Sequence, residues 1–86
     1  MEYRIELRPK AVKDLKSLSR SDAANIANAL EKLGHDLYGD VKKLTNHSPE
    51  YSLRVGVYRV LFEIAKPDLV VVYRVRHRRE ICRGGR

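Results

Sequence analysis

The sequence predicts an α+β fold of order β-α-α-β-β-β, an antiparallel sheet covered on one face by a helical hairpin. Three observations carry that prediction. Residues 3–8 alternate apolar and charged side chains, the period of a strand buried on one face. Residues 9–33 hold two successive stretches of apolar side chains at helical spacing. Residues 51–82 break into apolar runs of strand length separated by turn formers.

Tyr3, Ile5 and Leu7 fall on one face of the first strand, and Arg4, Glu6 and Arg8 on the other. Pro9 stops the strand and suits the first position of a helix, where its missing N–H goes unneeded. Ala11, Val12, Leu15 and Leu18 form the first helical stripe, with Lys10, Lys13, Asp14 and Lys16 on the remaining positions. Ser19 or Ser21 can cap a second helix with the stripe Ala23, Ile26, Ala27, Leu30 and Leu33, and Gly34 reads as its left-handed terminator. Residues 35–50 read as a long connection around a short island at Val41-Lys42-Lys43-Leu44. His35, His47, Asp36 and Asp40 lack the repeated spacing of zinc ligands.

Gly56-Val57 reads as a two-residue hairpin turn with glycine where φ must be positive, so Val55 opposes Tyr58 and Arg54 opposes Arg59. A turn over Ala65-Lys66-Pro67-Asp68 then sets Phe62 against Val71, Val60 against Tyr73 and Arg59 against Arg74. A tighter turn at Pro67-Asp68 brings in Arg76 instead. In the first register Leu53, Val55, Tyr58, Val60, Phe62, Ile64, Leu69, Val71, Tyr73 and Val75 share the covered face. Ser52, Arg54, Arg59, Leu61, Glu63, Val70, Val72, Arg74 and Arg76 share an open one. Like charges opposed on neighbouring strands destabilise a sheet, so an arginine row points to a bound polyanion. Tyr51, at a strand start, is a candidate for stacking on a base.

Eighty-six residues bound the chain to a single domain, 1–86, whose core must be aliphatic because the sequence has one Phe and no Trp. The lone Cys82 rules out a disulfide framework and a cysteine zinc cluster. No apolar run approaches the roughly 20 residues of a membrane span, and no signal stretch is present, so a cytoplasmic location without membrane contact is expected, with no metal or other cofactor. The net charge of +7 is uneven: residues 1–41 hold seven basic and seven acidic side chains, residues 42–86 eleven and four. Arginine outnumbers lysine eight to three in that second part, and its planar fork suits phosphate.

The pair Lys43-Leu44, the run Leu53-Arg54-Val55-Gly56-Val57-Tyr58-Arg59-Val60 and the closing His77-Arg78-Arg79-Glu80-Ile81 resemble the RelE/ParE superfamily of toxins from type II toxin-antitoxin pairs. The likeness covers essentially the whole chain and favours the RelE-like branch. It implies a ribosome-dependent mRNA endonuclease, an mRNA interferase that inhibits translation and is blocked by a RelB-like antitoxin. The ParE branch implies inhibition of DNA gyrase instead, and a toxin-fold protein that binds RNA without cutting it is a further alternative. Carried onto this sequence, the resemblance implies catalytic roles for three arginines. Arg54 stands beside the scissile phosphate, Arg59 stabilises its developing charge, and Arg78 makes a further phosphate contact.

Lys42, Lys43, Arg74, Arg76, Arg79 and Arg83 are the further candidate RNA contacts. Two positions depart from the RelE pattern: Ser52 stands where a basic residue is common, and Cys82 where a tyrosine is common. The candidates for proton transfer are His77, the histidine nearest the arginines, and Cys82, whose ionisation Arg78, Arg79 and Arg83 favour. RNA supplies its own nucleophile, the 2′-hydroxyl, so no metal is required and the expected products are a 2′,3′-cyclic phosphate and a 5′-hydroxyl.

Overall fold

The computed structural model describes residues 2–36, 39–44, 49–66, 68–77 and 79. Strand β1 (Arg4–Leu7) is followed by helices α1 (Pro9–Lys16) and α2 (Arg20–Asp36). Four strands come next, β2 (Asp40–Lys43), β3 (Tyr51–Val55), β4 (Tyr58–Lys66) and β5 (Leu69–His77). They form one α+β layer pair, a five-stranded sheet in the order β1-β5-β4-β3-β2 with the helices on one face. The sheet is mixed, correcting the expected all-antiparallel arrangement: β1 runs parallel to β5, and the other pairs are antiparallel. The helical hairpin carries the chain from β1 at one edge to β2 at the other.

Strand β2 is the element missing from the sequence reading, where Lys42 and Lys43 lie on a loop. Val41 is its one residue against the core, opposite Leu53, and one apolar side chain shows no period. The Leu44 N–H donates to the Glu50 carbonyl at 2.7 Å and closes the β2–β3 hairpin.

Pro9 opens α1, and Lys13 and Lys16 occupy its last turn, where cations complement the helix dipole. Ser19 Oγ accepts the Asp22 N–H at 3.1 Å and caps α2. Gly34 does not terminate α2, which continues to Asp36. Its role is close approach: its carbonyl accepts the Tyr3 N–H, and a Cβ there would lie 3.2 Å from the Tyr3 carbonyl oxygen. The positive φ falls on Gly39, at 135°. Ala27 is exposed, and Ala29 packs against the core in its place.

Ala11, Ile26, Leu30 and Leu33 from the helices bury against Leu53, Val60, Phe62, Val70, Val72 and Val75 of the sheet. The hairpin at Gly56 has the expected register, with φ of 60° at the glycine, Val55 opposite Tyr58 and Arg54 opposite Arg59. The next hairpin takes the tighter register, so Arg59 opposes Arg76 and Lys66 opposes Leu69. Two irregularities then shift the faces. Ala65 is an extra residue on β4, and Tyr73 an extra residue on β5, between Val72 opposite Phe62 and Arg74 opposite Leu61. Val70 and Val72 therefore enter the core where simple alternation from the first register placed Val71 and Tyr73.

Candidate nucleic-acid interface

On the sheet face away from the helices, register aligns Arg54 of β3, Arg59 of β4 and Arg76 of β5 in one row, with Asp40 of β2 paired beyond Arg54. Adjacent strands lie about 4.8 Å apart, so the three arginine backbones span roughly 10 Å. Arg54 is exposed, and Arg59 and Arg76 are half-buried. Arg54 and Arg76 take part in contacts of their own, whereas nothing among the described residues engages Arg59, the middle member. An arginine flanked by two like charges and held by no carboxylate among the described residues favours an arriving phosphate, which accepts charge-assisted, often bidentate hydrogen bonds.

Arg74 lies outside the row because the tighter hairpin, with Lys66 opposite Leu69, places it opposite Leu61 instead of Arg59. Its guanidinium is tied to Asp14 of α1: Nε donates to Oδ2 at 2.8 Å and Nη2 to Oδ1 at 3.2 Å. Oδ2 also accepts the Val75 N–H at 2.9 Å. The reason lies in the sheet edge. β1 pairs only with Leu69–Val72 of β5, the Arg8 N–H reaches the Val72 carbonyl, and beyond that point the backbone of β5 needs another partner. Burial pushes the Asp14 carboxyl up. The hydrogen bonds from Arg74 and Val75, with the charges of Arg74 and Arg76, outweigh it and hold the group below its ordinary value. Sequence reasoning set Asp14 among the solvent-facing positions of α1. The available signal was its spacing: it lies three after Ala11 and four before Leu18, on the buried stripe, where a carboxylate needs partners.

His77 lies on the helix side of the sheet, not beside the arginine row. It opposes Tyr58 and meets that ring edge-on at 5.4 Å, and the Tyr58 hydroxyl donates to Asp22 at 3.0 Å. The Arg79 N–H donates to His77 Nδ1 at 3.0 Å, so the neutral imidazole carries its proton on Nε2. His35 pairs with Glu2 at the end of α2. Lys42 is on the arginine face of β2, opposite Ser52, while Lys43 opposes Tyr51 on the other face. Tyr51 stacks on Phe62 at 5.4 Å and 18°, against the core and away from the arginine row. Arg78, Cys82, Arg83 and His47 lie outside the described residues.

Ser52 is only 2% exposed although it shares the arginine face, and its Oγ has no hydrogen-bond partner among the described residues. Simple alternation left this face open; in the structure its centre, at Ser52 and Val71, is covered. Pro49, just before β3, lies with Arg8, Tyr73 and Arg74 around a cleft of about 470 Å³ on the far side of β4. No cluster of three His, Cys, Asp or Glu among the described residues is placed to hold a metal. No described helix is long and apolar enough to cross a membrane.

Residues 5–82 match the family model of the ParE toxin of type II toxin-antitoxin systems. A Methanocaldococcus jannaschii protein carrying the toxin name RelE1 is 27% identical over 84 residues, covering 93% of each chain. The fold is similar to the toxin-antitoxin complex RelBE2 from Mycobacterium tuberculosis, with a TM-score of 0.77, 27% identity and coverage of 90% of this chain and 99% of that one. It is similar as well to the RelB-RelE antitoxin-toxin complex from Methanococcus jannaschii, with a TM-score of 0.74, 28% identity and coverage of 92% and 96%.

Proposed function

Because the chain belongs to the ParE toxin family of type II toxin-antitoxin systems, we propose that it is a RelE-like toxin that stops translation by cutting mRNA on the ribosome. The observation that carries the reading is the row Arg54, Arg59, Arg76, with Arg59 unengaged at its centre among the described residues. In the reaction the 2′-oxygen bonds to the adjacent phosphorus, the P–O5′ bond breaks, and one proton leaves the 2′-hydroxyl while another reaches the 5′-oxygen. Charge builds on the non-bridging oxygens at the midpoint of this exchange. Arg59 is positioned to meet it, with Arg54 and Arg76 on either side, and preorganised donors of this kind are worth about 10²–10³ in rate each. Neither described histidine lies on that face. The arginine row neutralises and aligns, and the ribosome holds the message in the reactive geometry, which makes cleavage ribosome-dependent.

A RelB-like antitoxin would inhibit the protein by laying a helical or acidic segment over the positive face. The test is to add purified protein to a translating extract and map RNA ends. New ends with 2′,3′-cyclic phosphates, seen only with ribosomes and absent when antitoxin is added, are expected; intact message at micromolar protein would overturn the reading. Burial of Ser52 at the position where the RelE branch commonly carries a basic residue favours a second reading, a gyrase inhibitor of the ParE kind. A supercoiling assay separates the two.

A further inference from the structure

The bulge in β5 produces something the arginine row does not account for. Of the tyrosines among the described residues, Tyr3, Tyr51 and Tyr58 pack against the core, and Tyr73 does not. It is the extra residue of the bulge, between Val72 opposite Phe62 and Arg74 opposite Leu61, three residues before Arg76, and it lines a cleft with Arg74. Its ring is half-buried in the cleft bordered by Arg8, Pro9, Lys10, Pro49 and Arg74. The Arg8 guanidinium lies 5.9 Å from the ring centroid, at the outer limit of a cation-π contact, so it covers the ring loosely. Arg8 and Lys10 are both exposed. An aromatic floor, cationic walls and a position roughly 10 Å along the strand from Arg76 describe a seat for one nucleotide of a single strand.

We propose that the Tyr73 cleft is a nucleobase subsite: the base next to the one at the clamped phosphate stacks on Tyr73, while Arg8 and Lys10 take its backbone phosphate. The proposal rests on the RNA-binding reading above and names the part of the substrate that reading leaves unplaced. The occupant is RNA because the walls are basic and Tyr73 stands three residues before Arg76 of the arginine row. Arg74, held by Asp14, fixes the rim. The bulge is the device that turns the ring out of the core, since strict alternation would have buried it.

The experiment uses the full chain and short single-stranded RNA oligonucleotides, with one abasic nucleotide stepped through the sequence, read by fluorescence anisotropy. For the wild type, one abasic position should weaken binding about tenfold or more. Tyr73→Leu should bind unmodified RNA about tenfold more weakly and lose the extra penalty at that abasic position, whereas Tyr73→Phe should retain both. Circular dichroism melting of Tyr73→Leu, if close to wild type, excludes a fold defect as the cause. If Tyr73→Leu binds as tightly as wild type, or still discriminates the abasic position, the subsite is refuted while RNA binding stands. If the wild type binds no RNA at all, the functional reading fails with it.

Discussion

Removing the Asp14 carboxylate should be among the most damaging single changes to the surface of this domain, because one side chain serves three donors. Asp14→Ala leaves the Val75 N–H and the Arg74 guanidinium without their acceptor. An orphaned, partly buried donor costs about 1–3 kcal/mol. The ion pair adds less than the 3–5 kcal/mol of a fully buried one, since Arg74 is 33% and Asp14 18% exposed, and about 1 kcal/mol is a reasonable share. A loss of about 2–4 kcal/mol lowers Tm by roughly 10–30 °C in a domain of this size. Asp14→Asn keeps a carbonyl oxygen for the Val75 N–H and should lose about half as much.

Urea titrations followed by circular dichroism on wild type, Asp14→Ala, Arg74→Ala and the double variant measure both the loss and the coupling between the two side chains. The pH dependence follows from the same contacts. The folded-state carboxyl lies below its ordinary value of 3.8, so in acid the unfolded chain binds a proton that the folded chain does not. The contribution is complete above about 3.8 and fades as pH falls through the lower folded value. A change below 0.5 kcal/mol for Asp14→Ala at pH 7, or an Asp14→Asn variant with an unchanged acid transition, would refute the assignment.

Two other changes give separable outcomes. Ser52→Ala removes a buried hydroxyl without a partner among the described residues, so stability should hold or rise by up to about 1 kcal/mol in the same titration, while Ser52→Lys, forcing a charge into a 2% exposed position, should unfold a large fraction of the protein. Gly56→Ala should cost only about 1–2 kcal/mol, the strain of its φ of 60°, since no atom lies within 4 Å of the new methyl; Gly39→Ala should cost more, because its Cβ would sit 2.8 Å from Leu53 Cδ1 on top of a φ of 135°.

Much of this was legible in the sequence, and the failures have two causes. Alternation and helical spacing predict β1, both helices and the Gly56 hairpin, and the positive φ at Gly56 follows from the turn type alone. From Arg59 onward the reading depends on counting residues around a turn. The tighter turn, with Lys66 opposite Leu69, makes the third arginine of the row Arg76 and not Arg74, while the extra residues Ala65 and Tyr73 offset each other there and change only which of residues 70–73 face the core. A bulge leaves no local signature here, because Val70, Val71 and Val72 suit either face equally and all three are buried. Strand β2 was missed for the opposite reason, having too little apolar character to show a period. His77, the histidine nearest the arginines in the sequence, opposes Tyr58 on the helix side of the sheet, away from Arg76.

The central claim is that Arg54, Arg59 and Arg76 together hold a phosphate backbone. The salt dependence of single-stranded RNA binding tests it most directly, since each neutralised phosphate contributes about −0.7 to the slope of log K against log salt. Replacing Arg59 by Ala should make the slope shallower by about 0.7, and replacing all three arginines should make it at least that much shallower, while Arg20→Ala at the start of α2 should leave it unchanged. A slope for Arg59→Ala equal to that of wild type would contradict the account.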